Sequence, residues 1–595
     1  MLRERQSTNV VLRPTDLKAY VATEHISRVL HAGSAVEYWK SAPYLLNFMD
    51  GYKLTREFEK IDRRTSEWHQ IQPILESRDG LLDWADYVSY SAIDPENARL
   101  RSLITEMVDS GLWRLLWLPP SLPYYELCGP FEDLPTADLT KRLVFSAWNV
   151  VPKVIASLTS YEAERRMMTI NGRRAKNSPK ARKRIKPLLQ VKRAGDDFSG
   201  LSALTLLYPS PTLARLGDPR EIARSHQSAN DLVTRDTVLE TVRDQISVAM
   251  EPLVVGAPTD GKEDERWYWL SPLLLDHQAG EMEPWFEQSE LAEIWSRTDE
   301  SETDAGKGDH TAFADALVHA RNLATQFEEA ANNGGLRPLG KTPDDLADVL
   351  AEIAVGAPGN TALRAMSRVT GGTQLYADTA VRNGAARTAW SFRRLFNLTD
   401  VMTLLRGLDG EGPYWRQVLR YCINGDLQAS LDEYAHVLRD WLGIVDGDGS
   451  TSAFKIALEM QNAIGLRSAG YVAREVGADG NTDVEYRLRS RFATRFGSDR
   501  SDDENELRRA STVRGAFNSP FWPFVLATTS IGQEGLDFHL YCHAVVHWNL
   551  PANPVDLEQR EGRIHRYKGH AVRKNVALAY RDAAMESHGD PWAAA

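Results

Sequence analysis

Cysteine is scarce. Cys128, Cys422 and Cys542 are the only three in 595 residues, too few and too scattered for a disulfide framework or a four-thiolate zinc site, so reduced, mostly buried thiols are expected. No apolar run approaches the roughly 20 residues that cross a bilayer. The opening MLRERQSTNVVLRPTD lacks an apolar leader core, and the chain is expected to be cytoplasmic with no membrane partner. Positive charge is not in excess either. At a formal charge of −12, any polyanion must be met by a local basic patch rather than by the field of the whole molecule. What remains is ordinary globular material, 43% apolar and 26% charged, long enough for about three or four domains.

Strand-like and helix-like patterns alternate in two places. RLVFSAWNV, 142–150, is a β-branched and aromatic run followed by the helix-like VPKVIASLTSYEAERRMM, one unit of an α/β sheet. FWPFVLATTSIGQEGLDF opens a second such region, which continues through HAVVHWNL and ends in a helix containing VDLEQREGRIHRY. The two regions read as parts of one sheet. Between them the texture is helical: LQASLDEYAHVLRDWL spaces Leu427, Leu431, Tyr434, Leu438 and Trp441 along one face, and DDLADVLAEIAV and RTAWSFRRLFNLTDVMTLLRGL repeat the pattern. An all-helical insertion over 171–485 is therefore expected. At its start NGRRAKNSPKARKRIKPLLQVKRAGDD holds no acid until Asp196. Such a run is either a solvated loop or a phosphate-binding arm, with Arg173, Arg174, Lys176, Lys180, Arg182, Lys183, Arg184 and Lys186 as the contacts.

Two segments carry the chemistry when read together, ATTSIGQEGLDF and QREGRIHR. They resemble motifs V and VI of superfamily-two helicases and translocases, and HWNLPANPVDLEQREGRIHR is most similar to the Swi/Snf-type and RNA-polymerase-associated helicase-like groups. RLVFSAW then resembles motif IV, and SAPYLLNF, 41–48, motif III with its following segment. The resemblance implies a RecA-like second lobe of α/β class, a parallel sheet flanked by helices, with a large all-α insertion and a mostly helical N-terminal segment.

ATP hydrolysis builds negative charge on the γ-phosphoryl oxygens, and a permanently charged guanidinium across the cleft stabilises it. Arg563 and Arg566, three apart on the expected helix, would share a face and reach one triphosphate as arginine fingers. By resemblance, Gln559 orients this helix at the nucleotide and Gly562 permits close approach. Gly532 and Gly535 allow a tight loop after FVLAT whose N–H groups can meet phosphate. Thr529 and Ser530 fall at the nucleic-acid backbone position, and Asp537 at the one facing the ribose or coupling the two sites. The cofactor implied is ATP with Mg, held together with a first lobe. The partners implied are nucleic acid, double-stranded DNA by preference, and a separate chain carrying that first lobe.

Two other patterns are weighed and set aside. GAPTDGKE, 256–263, has the glycine and lysine spacing of a P-loop, yet Glu263 replaces the hydroxyl that would hold magnesium. His539, Cys542, His543 and His547 look like zinc ligands, but on a strand their side chains alternate between faces and cannot converge. The P-loop and the acidic magnesium motif are expected to lie outside the chain, which reads as beginning just before motif III. The segments are then 1–111, tail of a first lobe and connector; 112–170, first part of the second lobe; 171–485, insertion; 486–582, second part with motifs V and VI; and 583–595, C-terminal tail.

Three functions follow in order of preference. The first is the C-terminal part of an ATP-driven nucleic-acid translocase. The second is a non-catalytic nucleic-acid- or protein-binding module with a vestigial ATP site. The third is a structural adaptor built on the insertion. Whether the chain belongs to an enzyme is open at this level.

Overall fold

A computed structural model describes residues 10–134, 139–172, 175–195, 197–226, 232–289, 291–295, 309–333, 335, 338–444, 449–497, 504–529, 536–587 and 589–594. The chain divides into two compact units, each assembled from separated stretches. One comprises Met1–Trp117, Asp138–Ile185 and Leu466–Ala571; the other comprises Leu118–Ala137, Lys186–Gly465 and Val572–Ala595.

The first unit is built on four strands, β1 (Lys141–Ser146), β2 (Ala493–Phe496), β3 (Val525–Thr529) and β4 (Cys542–His547), in the order β2-β3-β1-β4 with every pairing parallel. All six residues of β1 are buried, as expected of a parallel sheet covered on both faces. Helix α1 (Val150–Thr169) follows β1 and packs along β2 and β3, while α2 (Glu504–Phe517) brings Val513 and Phe517 against Leu143, Phe145 and Leu526. This is the α/β arrangement expected, compatible with a RecA-like fold.

The buried start of β1 contains two cations. Lys141 donates its amine to the Ala516 and Phe521 carbonyls, and burial lowers its pKa well below the ordinary lysine value. Arg142 is held by Glu106 at 2.9 Å.

Residues before Trp117 add helices and, among those described, no strand. SAPYLLNF takes in the last residue of one short helix, Val36–Ser41, and the single turn Leu45–Phe48. Asn47 donates to the Arg474 carbonyl at 2.8 Å, and the Ser41 carbonyl accepts from the Trp548 indole at 2.7 Å, so both are pinned within this unit.

The second unit is largely helical. Its helix Leu427–Trp441 departs from the expected single apolar face: Leu427, Leu431, Tyr434 and Leu438 are buried, but so is every other residue as far as Leu438, whereas Trp441, on the last turn, is 44% exposed. Neighbouring helices enclose its polar side by pairing it. Arg368 binds Asp432 and, at 2.6 Å, Asp218; Tyr124 donates to Asp432 at 2.6 Å; Glu433 meets Arg573 at 3.0 Å. The span 171–485 is also not purely helical. Lys192–Ala194 and Asp197–Ser199 pair antiparallel, and Gly195 beyond the first strand has a φ of +68°. Ala469–Arg474 pairs with Glu485–Ser490 in an antiparallel ribbon that belongs to the first unit.

Candidate functional site

The parallel register brings the three motif-bearing strands to a common C-terminal edge, where Ser146 of β1 stands opposite Thr529 of β3 and β4 ends at His547. Ligands of open α/β sheets bind beyond such carboxyl ends. The Ser146 hydroxyl donates to the Asn549 side-chain oxygen at 2.9 Å and accepts from the Trp148 N–H at 3.1 Å, tying the β1 and β4 exits together. Thr529 is half-buried at this edge. Ser530, Gly532 and Gly535 lie outside the described residues.

Helix α3 (Pro554–Glu561) starts where the sequence permits. Asn553 caps it, accepting from the Val555 N–H at 3.0 Å, and proline takes the first turn, where its missing N–H costs nothing. The helix stops at Glu561, which corrects the expectation for the arginines. Arg563 and Arg566 do not share a helical face; they follow one another along the turn after the helix, because the Arg563 carbonyl accepts from Phe538 N–H at 3.0 Å and draws the chain toward the β3–β4 connection. Gly562, at φ −59°, needs no special conformation, though a Cβ there would come within 3.1 Å of the Glu558 carbonyl.

The turn nevertheless unites motifs V and VI. Arg566 Nε lies 3.2 Å from Asp537 Oδ1, the two side chains 50% and 31% exposed, and Arg563 donates to the Leu536 carbonyl at 3.3 Å. A half-exposed pair of this kind is worth about 1 kcal/mol, so Arg566 can leave it for a stronger anion at little cost. Gln559 is exposed on α3. The arrangement therefore presents two guanidinium groups, lightly held, beside the sheet's C-terminal edge.

Sequence reasoning passed over the neighbouring Arg560, which is 6% exposed, donates to the Asn549 carbonyl at 2.9 Å and lies 5.5 Å from the Phe145 ring. Its burial lowers its pKa, and its contacts fasten α3 to the sheet. His547 also went unnoticed as part of this edge. Burial lowers its pKa below the usual 6.5, and its ring stands 3.5 Å from Glu561 on α3. The only cue to Arg560 was its place two residues before Gly562.

The expectation that the P-loop lies outside the chain overlooks Gly335–Thr342, GLRPLGKT, a complete match to the glycine, lysine and threonine spacing. Its surroundings are those of a different structure. A phosphate loop joins a strand to a helix, but here the helix Asp309–Asn332 precedes it. The N–H of Gly340 donates to the Asp264 carboxylate at 2.9 Å, and Lys341 is shared between Glu263 at 3.6 Å and Asp344 at 3.2 Å. Carboxylates thus occupy the donors that phosphates would need. The 256–263 segment likewise follows a helix, Arg235–Val254, and pairs with this loop through Glu263 and Lys341.

The basic run has more structure than a solvated loop. Ser178 caps a short helix, Pro179–Lys183, and Arg182 is half-buried against Asn177 and 4.0 Å from Glu164. Lys176, Lys180, Lys183 and Arg184 are exposed, and Arg173 and Arg174 lie outside the described residues. Of the residues with the look of zinc ligands, Cys542 is buried with its thiol pushed up to about 11, while the His543 ring meets His570 at 3.2 Å.

Residues 508–568, from within α2 through β3 and β4 to the turn bearing the arginines, match the family described as the helicase conserved C-terminal domain. The matched segment contains two of the four strands of the parallel α/β sheet. No curated protein and no solved structure matches the chain.

Proposed function

We propose that this chain supplies the second RecA-like lobe of an ATP-dependent nucleic-acid translocase, of the Swi/Snf-like kind, and acts with a first lobe outside these 595 residues. The observation that carries the reading is the coincidence of the family match with the site geometry. The matched stretch contains β3, β4 and α3, and it ends on two lightly held arginines next to Asp537. ATP with Mg would supply the phosphoryl group to be transferred to water. The groups that fit it here are guanidinium groups alone, suited to the charged end of a triphosphate; among the described residues no cluster of three or more potential metal ligands accompanies them.

In this reading Arg566 exchanges Asp537 for phosphoryl oxygens, and Arg563 joins it from the same turn. Arg560, His547 and Glu561 hold the helix that aims them. Gln559, exposed on that helix, and the Gly562 turn face the nucleotide, while Thr529, Ser530 and the basic segment contact the nucleic acid. Because stabilising charge in the transition state requires the phosphates to be cradled first, this chain alone should hydrolyse ATP negligibly. Phosphate release from the purified chain, with and without duplex DNA, tests this. Robust turnover abolished by Arg566→Ala would contradict the claim that the other half of the site lies elsewhere.

The carboxylates seated on GLRPLGKT favour one alternative, a nucleic-acid-binding module with a vestigial ATP site. A first lobe added in trans separates the two readings, since it restores turnover only under the first.

A further inference from the structure

The stretch 537–540, just ahead of β4, belongs to no strand, yet Phe538, His539 and Leu540 are buried. Buried peptide groups without a ladder need partners from elsewhere. Two peptide units of this stretch are bonded on both sides, as a planar trans peptide allows by pointing its C=O and N–H opposite ways. In the first, the Asp537 carbonyl accepts from the Asn518 side-chain amide at 2.9 Å, and the Phe538 N–H donates to the Arg563 carbonyl at 3.0 Å. In the second, the Leu540 N–H donates to the Asn518 side-chain oxygen at 3.3 Å, and the His539 carbonyl accepts from the His570 N–H at 2.9 Å.

One side-chain amide therefore holds both units from behind, while the turn that bears the arginines hangs on their other side by its two ends, Arg563 and His570. Arg566 lies between those ends, its Nε 3.2 Å from the side chain of Asp537, the residue whose carbonyl Asn518 holds. Asn518 is itself fixed. It is buried, and its N–H donates to the Arg514 carbonyl at 3.0 Å at the close of α2, the helix whose Val513 and Phe517 pack against the sheet. The sheet thus reaches the arginines through α2, Asn518 and the 537–540 backbone.

We propose that Asn518 is a positioning residue for Arg563 and Arg566, setting the place of both guanidinium groups through the two peptide units it holds. That these arginines meet phosphoryl oxygens rests on the helicase-lobe reading. Without the amide, the Asp537 carbonyl and the Leu540 N–H lose these bonds, and the segment must shift or admit water to replace them. Guanidinium groups hold an anion by directed hydrogen bonds, so a turn that shifts weakens the contact.

The test is isothermal titration calorimetry of the full chain with inorganic tripolyphosphate, which presents the charged end of a triphosphate and needs no first lobe. The native chain should bind it, and Arg566→Ala should bind it about tenfold more weakly, the worth of one charge-assisted hydrogen bond. Asn518→Ala should weaken binding by a similar factor. In the Arg566→Ala background it should weaken binding clearly less, because a residue that acts through the arginines has less left to act on. A general loss of fold would not behave so, since it multiplies in both backgrounds alike. Should Asn518→Ala lose the slow hydrogen exchange of the β1 peptide, Asn518→Gln, which keeps the amide but sets it one methylene further out, displaces the same peptide units and takes the same cycle. Losses that multiply would overturn the assignment, as would an Asn518 variant that binds as the native chain does. So would a native chain that binds tripolyphosphate no better than Arg563→Ala with Arg566→Ala. None of these results bears on turnover with a first lobe, on which the helicase-lobe reading stands separately.

Discussion

Arg560→Ala should loosen the sheet, while Arg566→Ala, six residues on, should not. Arg560 is almost wholly buried, gives a charged hydrogen bond to the Asn549 carbonyl and lies near the Phe145 ring. The bond is worth about 1.5–3 kcal/mol and the ring contact roughly 0.5–1, from which the buried, unbonded Nε subtracts about 1. Truncation should therefore cost about 1–3 kcal/mol. Arg566 loses only its half-exposed pair with Asp537, less than about 1 kcal/mol. Because the chain has two compact units, a single melting temperature would blur the comparison. Hydrogen exchange of the β4 peptide reads the first unit directly. At about 1.4 kcal/mol per decade, Arg560→Ala should speed exchange roughly 5- to 150-fold and Arg566→Ala less than about fivefold. Equal rates in the two variants would refute the assignment of Arg560 to structure and Arg566 to function.

Asp537→Asn should leave stability within about 1 kcal/mol of the native chain, because its pair with Arg566 is half-exposed; urea midpoints check it. In the second unit, Leu431→Ala should cost about 2–5 kcal/mol through the cavity left at a fully buried site, and Trp441→Ala far less, by the same measurement. Stability should also fall with rising pH through Glu96. Burial first, then the neighbouring Asp94, push its carboxyl up to about 8. Between the ordinary glutamate value and about 8 the folded chain keeps a proton that the unfolded chain has released, so folding weakens as pH climbs through that window. Urea midpoints across it should decline for the native chain and flatten in Glu96→Gln.

The parts of this protein that depend on local pattern were legible in the sequence. FVLAT and HAVVH announced strands, and VDLEQREGRIHRY announced a helix, of which the part as far as Glu561 is helical. What depends on tertiary surroundings was hidden. Arg560, Arg563 and Arg566 look alike in sequence and differ only in what covers them. Asp432 and Glu433 read as a solvated face because their partners, Arg368 and Arg573, come from distant segments. GLRPLGKT shows the converse, a complete local pattern that its surroundings have turned to packing. The basic run could be read as an unsupported arm because the approach of its Arg182 to Glu164 appears only in the folded unit.

The central claim is that Arg563 and Arg566 serve a nucleotide held by another lobe. The direct measurement is steady-state phosphate release by this chain combined with a first lobe bearing intact Gly-Lys-Thr and Asp-Glu motifs, at saturating duplex DNA. Arg563→Ala or Arg566→Ala should lower turnover by about three orders of magnitude with duplex affinity little changed. Undiminished turnover in both variants would contradict it.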